Sequence, residues 1–108
     1  MAIPENLEEL LRRLTLGDEN AFDNLAHNEV ACGLDHRTSA LVLIAALVAL
    51  EAEGASYQVA IDRAHAAGLD DEEILEAVVV ISPLVGAARL GSAVPELSAA
   101  FGIEPGKS

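Results

Sequence analysis

Leu7, Leu10, Leu11 and Leu14 fall at i, i+3, i+4 and i+7 among polar neighbours. That spacing predicts an amphipathic helix over 4–14. Pro4 suits its first turn, Glu5 lies near the positive end of its dipole, and Gly17 is expected to stop it. A second short helix is expected over 18–27, with Phe22 and Leu25 facing inward. Residues 28–34 read as a connector. Asp35 is placed to cap a third helix, with Leu34 before it as a hydrophobic staple. That helix is expected over 36–52. Leu41, Val42, Leu43, Ile44, Leu47, Val48 and Leu50 surround nearly its whole axis, which predicts a central or interface-buried element.

Gly54 punctuates the pattern, and Ser56 is expected to cap a fourth helix over 57–67, ended by Gly68. Leu69-Asp70-Asp71-Glu72-Glu73 is the clearest local signal in the chain. Asp70 caps, Glu73 stands at the capping-box position and Leu69 is the staple. The fifth helix continues through Ile74, Leu75, Ala77, Val78 and Ile81. Taken alone, 78–81 suits a strand, but its continuity with the helix start makes it helical. Pro83 ends or kinks this helix. A last helical region covers 84–101, where Gly86, Gly91 and Pro95 allow two pieces, and 102–108 is a polar tail. The pattern as a whole predicts an all-α, single-domain helical bundle of about six helices.

The length of 108 residues suits one domain. The chain is 52% hydrophobic but only 3% aromatic, so its core must be built from Ala, Val, Leu and Ile. Excess apolar surface on a short chain predicts a subunit interface, and hence a homo-oligomer such as a dimer, trimer or hexamer. The net charge of −12, with scattered basic residues, argues against nucleic acid as a partner. The longest apolar run, 40–50, is too short for a membrane span, which needs about 20 residues. The N-terminus lacks a signal-peptide pattern. The single cysteine, Cys32, forms neither an internal disulfide nor a cysteine-based zinc site. A cytoplasmic location is expected, with no membrane partner.

Gly33-Leu34-Asp35-His36-Arg37-Thr38, the apolar stretch after it, Ala64-His65-Ala66-Ala67-Gly68-Leu69-Asp70-Asp71-Glu72-Glu73-Ile74 and Gly86-Ala87-Ala88-Arg89 occur in a telling order. Together they resemble the carboxymuconolactone decarboxylase and alkylhydroperoxidase D-like family over about 33–94. The resemblance implies a core over 33–101, preceded by an N-terminal helical segment over 1–32 and followed by a tail over 102–108, one domain overall. It also implies a site. The family's redox branch carries Cys-x-x-Cys-x-x-x-His at the start of the fourth helix, with a Glu on the preceding helix. One helical turn lets the His take the thiol proton, and the first Cys resolves the oxidised sulfur. The decarboxylase branch keeps a His as acid and base. Anchored on Gly68, the His position is Ala60, the second Cys position is Ser56 and the first is Glu53. The Glu position falls at Ala40 or Leu41. None keeps the family residue, and no cysteine follows Cys32.

The remaining polar residues offer weak substitutes. His65 shares a helical stripe with Asp62 and Gln58, so Asp62 can orient it as a general base; the plain reading is a solvated helix face. Tyr57 can serve as a phenolic donor, and the plain reading is a half-buried interface residue. Ser56 lacks a base one turn along, which leaves it as a cap. Cys32 is a candidate redox thiol or a passive small residue. His27, Glu29 and His36 lack the spacing of a compact metal site, and a Glu53 pair with Arg37 or Arg63 reads as a surface contact. No cofactor or metal is expected. The sequence therefore points to a non-catalytic small-molecule-binding or scaffold protein on an inherited enzyme fold, the ligand being a small apolar organic molecule. The alternatives are a divergent acid/base enzyme on a small organic substrate, using Asp62, His65 or Tyr57, and a residual peroxidase using Cys32.

Overall fold

A computed structural model describes residues 5–27, 30 and 32–103. Pro4, the connector residues Asn28 and Glu29, and the tail from 104 lie outside the described residues. Every regular element among the described residues is helical, so 78–81 belongs to a helix and not to a strand. The chain divides into two compact units, Met1–Gly33 and Leu34–Ser108.

The first unit holds α1 (Glu5–Thr15) and α2 (Glu19–Ala26). The turn between them closes tightly. The Gly17 N–H reaches the Leu14 carbonyl and the Asp18 N–H reaches the Arg13 carbonyl, with Gly17 at φ 77°. Asp18 then caps α2 by accepting from the Asn20 and Ala21 N–H groups. Its carboxylate also accepts from Arg13 Nε at 2.8 Å. That bond, more than the backbone ones, holds the Asp18 carboxyl below its ordinary value against the opposing cost of desolvation. Phe22 and Leu25 do not face inward as expected: both are exposed, and Ala21 is the buried residue of α2. In a two-helix unit the small residue fits the close approach, and the large ones fall outside it.

The second unit holds α3 (His36–Ala49), α4 (Gly54–Ala66), α5 (Asp71–Val85) and α6 (Ala87–Ala100). Its core is aliphatic. Ala40, Ile44 and Val48 of α3 pack with Tyr57, Ala60, Ile61 and Ala64 of α4, with Leu69, with Ile74 of α5, and with Ala93 and Leu97 of α6. The buried positions on α3 and α4 recur every three or four residues, so each helix buries one stripe. α3 is therefore not buried all round: Val42, Leu43 and Leu50 are exposed.

Three expected boundaries need correction. α3 stops at Ala49, because Glu51 takes φ 55° and the Glu51 and Ala52 N–H groups turn back to the Val48 and Leu47 carbonyls. This is the closure a glycine usually makes, and no glycine marks it in the sequence. Pro83 does not end α5, which runs on to Val85 and closes when the Gly86 N–H reaches the Ser82 carbonyl. Gly91 and Pro95 do not divide α6, a single helix. Pro95 gives up only the bond to the Gly91 carbonyl, and the buried Ala93 and Leu97 on either side keep the helix on course.

Candidate functional site

α4 is the helix whose N-terminal half would carry the reactive set implied by the sequence resemblance. It begins at Gly54 with Glu53 at the cap position, and Glu53 makes no side-chain capping bond. Ser56 is not the cap: it lies inside the first turn, its backbone N–H bonded to the Glu53 carbonyl. The start of α4 is set by packing. The Glu96 carboxylate of α6 lies so close to Gly54 that a Cβ there would stand 2.6 Å from Oε2. Ala60 is buried in the core, one turn beyond the exposed Ser56. Ala40, a candidate for the family Glu position, is also buried, and Leu41 packs against the core.

Tyr57 is fully buried, not half-buried as expected. Its hydroxyl donates to the Leu47 carbonyl at 3.2 Å. That carbonyl also accepts from the Ala52 N–H, so the phenol helps close the C-terminal end of α3. Burial raises the phenol's pKa above its ordinary value, helped by the Glu96 and Glu51 charges. A phenol spent in this way is structural.

Asp62 and His65 do not pair. Gln58 Nε2 donates to Asp62 Oδ1 at 3.0 Å, while His65 Nε2 lies 2.6 Å from Asp71 Oδ1. The turn at Gly68 is the reason. The Gly68 and Leu69 N–H groups fold back onto the His65 and Ala64 carbonyls, which brings the first residue of α5 over the last turn of α4. Both members of the His65–Asp71 pair are well exposed. Tyr57 Oη is bonded to the Leu47 carbonyl and not to this pair.

Two of the segments that carried the resemblance meet in space, at the start of α3 and the α4–α5 junction. Asp35 caps α3 by accepting the Thr38 N–H at 2.7 Å, a bond that holds its carboxyl below the ordinary value. In the next turn Arg37 reaches across to the α4–α5 junction. Its Nη1 donates to the Gly68 carbonyl at 2.8 Å and its Nη2 to Glu73 Oε2 at 2.6 Å. Glu73 Oε1 accepts the Asp70 N–H, and Asp70 Oδ1 accepts the Glu73 N–H, completing the capping box. Arg37 therefore pairs with Glu73 and not with Glu53. Arg89, from the last segment of the resemblance, donates to the Ala49 carbonyl at the end of α3. Sequence reasoning read these as separate local signals. The contacts around Arg37 form a polar frame joining the start of α3, the end of α4 and the start of α5, while Arg89 acts at the opposite end of α3.

Cys32 is exposed and falls in the first unit, whereas Ser56 and Ala60 belong to the second. His27 Nδ1 lies 2.8 Å from the Asp23 carbonyl. Among the described residues no three His, Cys, Asp or Glu side chains cluster as metal ligands. No described helix is long and apolar enough to cross a membrane. The second unit carries two grooves. One, of about 240 Å³, runs between α5 and α6. The other, of about 280 Å³, is lined by Ala49, Leu84, Val85 and Arg89.

The structural class is all-α, with a capped start of α3 clamped through Arg37 onto the Gly68 turn. Residues 19–99 match the Carboxymuconolactone decarboxylase family, more than half of the chain, and the protein belongs to that family. The match begins in α2, earlier than the segments legible by eye. Comparison with curated proteins and with solved structures finds no match.

Proposed function

We propose that this protein is a non-catalytic member of its family, a binding or scaffold protein that works through its surfaces. The observation that carries this reading is the occupancy of α4. Anchored on Gly68, the resemblance puts the family's reactive positions at Glu53, Ser56 and Ala60, and the buried Tyr57 beside them spends its hydroxyl on a backbone carbonyl. A thiol cycle needs a thiolate and a resolving thiol, and acid/base decarboxylation needs a titratable group facing its substrate. The start of α4 offers neither a thiol nor an imidazole.

The test is a pair of turnover assays on the intact chain: peroxide reduction with a dithiol reductant, and decarboxylation of a carboxylated lactone. The expected result is no rate above the blank in either, with Cys32→Ser identical to the parent. Peroxide turnover lost in Cys32→Ser would establish a residual peroxidase instead. A second reading, a divergent acid/base enzyme, draws support from the 2.6 Å His65–Asp71 pair. It requires decarboxylation with a His-like pH limb that disappears in His65→Ala.

A further inference from the structure

No further inference is drawn: the strongest candidate, the apolar groove of about 240 Å³ between α5 and α6, walled by Leu75, Val94, Phe101, Ile103 and the exposed Val79, carries nothing because nothing in the structure shows what covers it.

Discussion

The starts of α4 and α5 are made by opposite means. α5 begins at a local device: Asp70 and Glu73 cap each other, Leu69 is buried just before them, and Ile74 is buried just after. A tertiary contact then reinforces it, because Arg37 holds both Glu73 and the Gly68 carbonyl. α4 begins with no side-chain cap, at a glycine that lies close to a carboxylate from α6. One start is fixed by partners within a single turn and across the α4–α5 junction, the other by no side-chain cap at all.

The comparison is sharpened by disturbing each start in turn. Ile74→Ala should have the largest effect, about 2–5 kcal/mol of lost stability in urea unfolding, since it empties a fully buried site under the capping box. Gly68→Ala should cost about 1–2 kcal/mol, because φ is 90° there and the new Cβ would stand 3.3 Å from Arg37 Nη1. A smaller loss would mean that the clamp yields.

Tyr57→Phe should cost about 0.5–1.5 kcal/mol by removing the bond to the Leu47 carbonyl. It should also change the pH profile. Because the folded phenol titrates above its ordinary value of 10.0, its contribution is complete below that pH and is lost as the pH rises through the folded value. The Phe variant should lack that alkaline decline, and unfolding midpoints from pH 8 to 11 report it. The smallest effects form a pair. Asp70→Ala should cost about 1 kcal/mol, whereas Ser56→Ala should change stability by less than about 0.5 kcal/mol. Equal losses in the two would erase the distinction between the helix starts.

What was legible in the sequence follows the same division. The α5 start could be read from five consecutive residues because both capping partners lie within one turn. The caps at Asp18 and Asp35 are equally local, although Asp18 was read only as the first residue of its helix. The end of α3 was missed because Glu51 adopts a conformation that the sequence signals only when glycine is present. The start of α4 was missed because it carries no side-chain cap, so no local residue pattern marks it. The Asp62–His65 pairing failed for a related reason: helical spacing brought them within reach, but the reversal at Gly68 supplied Asp71 as a closer partner.

By itself the sequence determined that the protein is helical, that it has about six helices, that its core is aliphatic, and the family to which it belongs. These follow from short-range periodicity and capping, which act over a few residues. The absence of thiols from α4 was also a fact of sequence alone. Only the tertiary structure decided that Tyr57 is structural, that His65 belongs to Asp71, that Arg37 joins three helix ends, and that the outer side of α5 lies exposed. Each of these depends on which groups meet after the chain reverses, and hydrogen bonds and burial at that range carry no local signature.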